Sequence, residues 1–378
     1  MAERRLEVTF LLSSLGLVRG GLETTAARWA QGLAARGHRV TLVGGARRGR
    51  PLADDLAALP VRWVRVPCVR RPWRLLSRRR PGLPLKVQSL SFVQACRLDP
   101  RVRRLMAASD VTVTMLEIET VLLSRSRARR GLPNVSVFPG VIEWKWLRRD
   151  RSDVRLALSR EVAEPVQALG LHVHGVVPQP GPPASSLEVP YTPRADAHNL
   201  VFAGRLEPNK GVRQLLDLFE TLAPRFPELR LRLLGDGPER PALERRLEEA
   251  GLAGRVRIVG ALAPGEVLTE LRSADLFVFP SRYESWGLAI VEAMAVGVPV
   301  VASDIAGIRE ATAGSACLVP LDDPAAWALA IERLIGDRAA RDRLSLAGRE
   351  RAAALTAERS VELLERWLYS ALRSWHPS

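Results

Sequence analysis

Two pairs of residues carry most of the chemistry this sequence can do. Arg205 and Lys210 lie in the run Gly204-Arg205-Leu206-Glu207-Pro208-Asn209-Lys210-Gly211, and Glu284 and Glu292 lie in the run from Ser281 to Glu292. Two cations at the carboxyl edge of a strand can hold a diphosphate and stabilise its charge as it leaves. Read alone, that segment fits a solvated basic turn equally well. Lys210 adds weight, because the chain has only two other lysines, Lys86 and Lys145, and its remaining bases are arginine. Glu292 falls inside the apolar stretch Leu288 to Met294, where a carboxylate is costly to bury unless it accepts hydrogen bonds. Sugar hydroxyls are suitable donors to it. The N–H groups around Ser285, Trp286, Gly287 and Leu288, at the start of a helix, can face phosphate.

A third feature is Gly20-Gly21, between an apolar run and a helical pattern that begins near Leu22. Paired glycines let the backbone turn sharply and approach a ligand, although an ordinary strand-to-helix turn uses them too. The pair is not the G-x-G-x-x-G nicotinamide fingerprint, and no acidic residue follows at the distance that fingerprint requires.

The elements that must position these residues alternate along the chain. In the first half, strands are expected at Leu6–Leu12, Arg39–Val43, Arg62–Val66, Val111–Met115, Asn134–Phe138, Val154–Ser159 and His172–Val177, with a helix over Gly21–Arg36 that stops at Gly37. In the second half they are expected at Asn199–Ala203, Leu229–Leu234, Arg255–Val259, Asp275–Phe279, Val298–Ala302 and Ala316–Val319. Between the halves, six prolines from Pro178 to Pro193 exclude a helix or a central strand. The fold class read from this order is α/β, with two doubly wound domains whose ligand sites lie beyond the carboxyl ends of the strands. The domains are expected at 1–180 and 198–357, with a linker over 181–197. The tail from Asp323 to Trp375 is helical by pattern, and a last helix over about 358–378 is expected to pack back on the first domain.

Charge divides unevenly. Residues 1–190 carry 32 Lys and Arg against 15 Asp and Glu, and the remainder carries 24 against 26. The excess points to an acidic partner for the first half, and an anionic membrane surface is one candidate. The segment that motivates it holds Arg71, Trp73, Arg74, Arg78, Arg79 and Arg80, basic groups around an interfacial aromatic. A solvated basic loop in an arginine-rich chain fits it as well. Cys68, Cys96 and Cys317 form neither a metal spacing nor a disulfide framework, so a reducing cytoplasm is expected, or the inner face of its membrane. No protein-bound metal or other cofactor is expected from the spacing of His, Cys and carboxylates. The first apolar run, Val8 to Leu12, is too short for a signal peptide or a membrane span.

With these segments in place, the chain resembles the retaining GT-B glycosyltransferases of glycosyltransferase family 4. The likeness is strongest from Asn199 to about Pro320 and weaker over residues 6–45. It rests on the G-R-L-x-x-x-K-G run and on the two glutamates Glu284 and Glu292 of the later segment. The resemblance implies two Rossmann-like domains facing across a cleft, and a nucleoside-diphosphate sugar as donor substrate. It implies that Arg205 and Lys210 bind the donor diphosphate, Glu284 the sugar hydroxyls and Glu292 the ribose. The backbone around Gly287-Leu288 would meet the phosphates, Gly20 and Gly21 would approach the diphosphate, and Val259 and Gly260 would flank the base. The acceptor would be a sugar, a glycolipid or a lipid-linked sugar of the cell envelope. Where family members often carry a histidine after the fifth strand, this chain reads Phe138-Pro139-Gly140, so no acceptor-side histidine is assigned. A soluble-acceptor transferase and a non-catalytic nucleotide-sugar-binding protein stay open. Nucleic acid is not an expected partner, since no binding module is recognisable.

Overall fold

The computed structural model describes residues 4–15, 20–46, 54–67, 83–128, 132–140, 145–188, 191 and 197–374. The chain forms two compact units, Met1–Pro180 together with Glu358–Ser378, and Gly181–Ala357.

In the first unit the order is β1 (Glu7–Leu12), α1 (Gly21–Ala35), β2 (Arg39–Ala46), α2 (Asp54–Ala57), β3 (Arg62–Pro67), α3 (Leu83–Leu98), α4 (Pro100–Ala108), β4 (Val111–Thr114), α5 (Glu117–Ala128), β5 (Asn134–Phe138), β6 (Val154–Ala157), α6 (Arg160–Ala168) and β7 (Gly175–Val176). Among the described residues the sheet has seven parallel strands in the order β3-β2-β1-β4-β5-β6-β7. A central strand such as β1 is covered on both faces, which is why Val8, Phe10, Leu11 and Leu12 are all buried rather than alternating. Helix α1 buries Ala26, Trp29, Ala30 and Leu33, a stripe at helical spacing. Two expected strands come out shorter by two residues or more. β6 ends at Ala157 because the Ser159 side chain accepts from Val162 N–H and caps α6. β7 pairs only at Gly175 and Val176, on the sheet edge.

The second unit runs β8 (Asn199–Ala203), α7 (Val212–Leu222), β9 (Arg230–Leu234), α8 (Arg240–Glu249), β10 (Val256–Gly260), α9 (Pro264–Arg272), β11 (Leu276–Phe279), α10 (Leu288–Ala295), β12 (Val300–Ser303), α11 (Ala306–Thr312), β13 (Cys317–Val319), α12 (Pro324–Gly336) and α13 (Arg338–Ala353). Its sheet is parallel, in the order β10-β9-β8-β11-β12-β13. Strand order reverses between β8 and β11, which makes the carboxyl ends of those two strands the crevice where doubly wound sheets bind ligands. The proline-rich stretch read as a linker makes contacts inside this unit: Gly181 N–H donates to Leu355 O at 3.0 Å and the Tyr191 hydroxyl to Ala274 O at 3.0 Å. Residues 189–190 and 192–196 of that stretch lie outside the described residues.

The last helix, α14 (Ala357–Arg373), is part of the first unit's core through Val361, Leu364, Leu368 and Ala371. Polar contacts fix it in place. The Trp29 indole N–H donates to Ser360 Oγ at 2.8 Å, and Ser360 Oγ donates to Pro178 O at 2.6 Å. His38 accepts from Leu6 N–H at Nδ1, which leaves the proton on Nε2 for Glu365, 2.6 Å away. Arg36 donates to the other Glu365 oxygen at 2.8 Å. Burial pushes the Glu365 carboxyl up, but the hydrogen bonds from Arg36 and His38 outweigh it and leave the group below its ordinary range. A carboxyl lowered in the fold stabilises it above its unfolded value, about 4.3, and that contribution disappears as pH falls through the folded value. Glu365→Ala should cost about 2 kcal/mol at pH 7 and lower the first unit's melting transition by roughly 5 °C. As the pH of the melts falls through the folded Glu365 value, the gap between variant and wild type should narrow. A gap independent of pH would mean that packing, not charge, holds the helix.

Candidate functional site

Three turns meet at the carboxyl ends of β8, β9 and β11. The first follows β8. Gly204 N–H donates to Leu234 O at 2.9 Å and Leu206 N–H to Asp236 O at 3.0 Å, which ties this turn to the one after β9. A Cβ on Gly235 would lie 1.9 Å from Gly204 O, so the approach of these two turns requires glycine, as does the φ of 143° there. Leu206 is fully buried and anchors the loop, while the Arg205 side chain is 45% exposed and pairs with Glu207 at 2.6 Å. A single 3₁₀ turn over Pro208–Lys210 then leads to Gly211, which starts α7 in the left-handed region (φ 69°).

The third turn, after β11, is pinned to the first by its backbone. Arg282 N–H donates to Asn209 O at 2.8 Å, and Ser281 Oγ donates to the same carbonyl at 3.2 Å. A Cβ on Gly211 would lie 1.9 Å from Pro280 O. This join places Lys210 Nζ 2.5 Å from Glu284 Oε1, with the ammonium 5.9 Å from the centre of the Phe279 ring. Glu284 is 9% exposed and Glu292, on the second turn of α10, is 8% exposed. Trp286 is buried, and among the described residues its indole N–H has no hydrogen-bond partner. Ser285 is half-buried, and Gly287 caps α10, whose first N–H groups, starting at Leu288, project past the helix end. The site therefore offers cations, helix-start amides and sheltered carboxylates within one set of turns. That combination suits a ligand with both phosphate and hydroxyl groups.

Val259 and Gly260 end β10, and Gly235 N–H donates to Gly260 O at 2.8 Å, so this strand end joins the same cluster. Gly20 and Gly21 are in the first unit, at the cap and first residue of α1. Gly20 is extended (φ −167°), and a Cβ there would come 2.9 Å from Glu23 Oε2. Arg71, Trp73, Arg74, Arg78, Arg79 and Arg80 lie outside the described residues. Phe138 is buried in the first unit's core, at the end of β5.

The sequence reading missed the turn Gly235-Asp236-Gly237-Pro238, which braces the Arg205 loop from below. Its signal was present: two glycines and a proline directly after a strand. Arg282 was also missed. It pairs with Asp322 at 2.8 Å and donates the backbone bond that aligns Lys210 with Glu284. A groove of about 710 Å³ opens elsewhere, at the amino ends of β8, β9 and β10 around Asn199, Arg230, Arg232 and Arg257, and none of the motif residues lines it. Among the described residues, no group of three or more His, Cys, Asp or Glu is placed to hold a metal ion, and no helix is long and apolar enough to cross a membrane.

Residues 197–337 match the family model described as glycosyl transferases group 1. This segment is similar to that family. It contains every candidate residue of the second unit. A D-inositol 3-phosphate glycosyltransferase of Corynebacterium urealyticum is 41% identical over 145 residues, which is 36% of this chain and 34% of that protein. The curated relatives are matched over only 34–41% of their own lengths. Solved structures align over nearly the whole chain. Sucrose-phosphate synthase from Thermosynechococcus elongatus superposes with a TM-score of 0.74 at 21% identity, covering 98% of this chain and 100% of its own. HepE of Anabaena in complex with UDP-glucose superposes with a TM-score of 0.74 at 18% identity, covering 96% and 99%. The fold is thus the GT-B fold of glycosyltransferases, with two Rossmann-like domains.

Proposed function

We propose that this chain is a glycosyltransferase that moves a sugar from a nucleoside diphosphate to an acceptor hydroxyl, with retained anomeric configuration. One observation carries the reading. Lys210 and Glu284, distant in sequence, meet at 2.5 Å where strand order reverses, inside the group 1 segment. In this reading Arg205 and Lys210 neutralise the departing diphosphate, and the first amides of α10 add fixed partial positive charge. Glu284 accepts from sugar hydroxyls, Glu292 from the ribose, and the end of β10 flanks the base. Gly20 and Gly21 stay in the proposal as donor-binding residues, from the resemblance alone.

The acceptor is proposed to carry or sit on negative charge, because the first half of the chain has the excess of arginine. A phosphorylated soluble acceptor is favoured by the names of two similar proteins, D-inositol 3-phosphate glycosyltransferase and sucrose-phosphate synthase. A membrane-held acceptor is favoured by the segment around Trp73, with the protein peripheral at the inner face. Flotation separates them. Binding to vesicles with anionic lipid that fades with salt, and fades further when Arg78, Arg79 and Arg80 become Ser, supports the membrane. Indifference to lipid charge leaves the soluble acceptor.

Mass spectrometry tests the whole reading. The chain is incubated with UDP-, GDP- and ADP-sugars and a set of phosphorylated acceptors, with EDTA present. One donor should yield a nucleoside diphosphate and an acceptor heavier by one sugar. Turnover that needs added Mg²⁺ or Mn²⁺ would overturn the metal-free part, and binding without any turnover would leave a nucleotide-sugar-binding protein.

A further inference from the structure

Around the strand ends of the second unit, cations are paired with carboxylates of the same unit. Arg205 is 2.6 Å from Glu207, Arg282 is 2.8 Å from Asp322, and Arg240 is 2.7 Å from Glu244. Each of those arginines is well exposed, so solvent screens the pair and it exchanges at little cost. The Lys210–Glu284 pair differs. Its side chains are only 20% and 11% exposed, and the Phe279 ring lies beside the ammonium. Separating such a pair leaves a sheltered charge without a partner, unless another group takes its place.

We propose that the Lys210–Glu284 ion pair is a latch that tells the loaded donor from the spent nucleotide. The diphosphate reaches Lys210 by displacing Glu284. The carboxylate so released needs hydrogen-bond donors, and the hydroxyls of the attached sugar supply them. A bare nucleoside diphosphate brings the phosphates but not the hydroxyls. Among the described residues Glu284 then has no partner except Lys210, and it competes with the phosphates to regain it. The pair thereby favours capture of the sugar nucleotide and expulsion of the product. No covalent step is involved, only an exchange of ionic and hydrogen-bond partners.

This inference rests on the donor-site reading of the second unit, and the test keeps the two apart. Calorimetry compares UDP, GDP and ADP with their glucose forms, on the full chain and on Glu284→Gln. The wild type should bind the sugar form of the recognised nucleotide about tenfold more tightly than the bare diphosphate. Glu284→Gln removes the charge that competes for Lys210. It should bind the bare diphosphate about tenfold more tightly than the wild type does and lose the preference for the sugar form. Unchanged or weaker diphosphate binding by Glu284→Gln overturns the latch, and so does equal affinity of the wild type for the two forms, a result that needs no variant. If the wild type binds none of the six nucleotides, the donor-site reading falls and the latch with it.

Discussion

Lys210→Ala is expected to lower turnover about 10²–10³-fold with the donor saturating, and Arg205→Ala to do the same with a smaller effect. The difference follows from their surroundings. The Lys210 side chain is 20% exposed beside an aromatic ring and a buried carboxylate, whereas Arg205 is 45% exposed and already partnered at the surface. A charge held in a sheltered, preorganised position stabilises a leaving diphosphate more than one that water screens. Arg205→Ala should melt within a degree or two of wild type, whereas Lys210→Ala leaves the sheltered Glu284 carboxylate without its partner and should melt several degrees lower while still folding. Single-turnover kinetics with the recognised nucleotide sugar reads the effect on the chemical step. Near-normal turnover by Lys210→Ala would remove that residue from the mechanism.

Gly211→Ala is expected to damage both fold and activity, although the residue has no chemistry of its own. Its φ of 69° strains any residue with a Cβ, and the added atom would meet the carbonyl of Pro280 at 1.9 Å. That oxygen is backbone and cannot swing aside like the end of a long side chain. The Arg205–Lys210 loop must therefore shift away from the turn after β11, at a cost of about 2–4 kcal/mol. Such a shift pulls Lys210 from Glu284 and the helix-start amides. Displacement of a catalytic group by about 1 Å can cost roughly 10²-fold in rate. Differential scanning calorimetry should show the second unit melting several degrees lower, and the purified variant should turn over at about a hundredth of the wild-type rate. Full activity in this variant would mean that the register of the two turns does not matter.

The elements of both sheets were legible because central parallel strands read as short apolar runs between glycines and helical patterns. β8 and β5 were read to the residue, Asn199–Ala203 and Asn134–Phe138. Where bounds shifted, local capping or edge pairing decided, as at Ser159 and at β7. Arg205, Lys210, Glu284 and Glu292 could be picked out by type and spacing, since a rare lysine and a carboxylate in an apolar helix both break the background. What the sequence could not show is that Lys210 and Glu284 touch. That contact depends on Arg282 donating to Asn209 O and on Gly211 packing under Pro280, neither of which leaves a periodic trace. The turn at Gly235 does carry a local signal, two glycines and a proline after a strand, but its partner across the gap, the Gly204 carbonyl, carries none. The Glu365–His38–Arg36 cluster was also invisible, because it joins residues from opposite ends of the chain.

The turns after β8, β9 and β11 are proposed to hold a nucleoside-diphosphate sugar. Hydrogen exchange of the full chain, read by mass spectrometry with and without the nucleotide sugar it turns over, tests that directly. Slowed exchange is expected in peptides covering 204–211 and 281–292, centred on the amides near Gly287 and Leu288. Protection confined to other segments, such as the groove around Arg230 and Arg257, would contradict it.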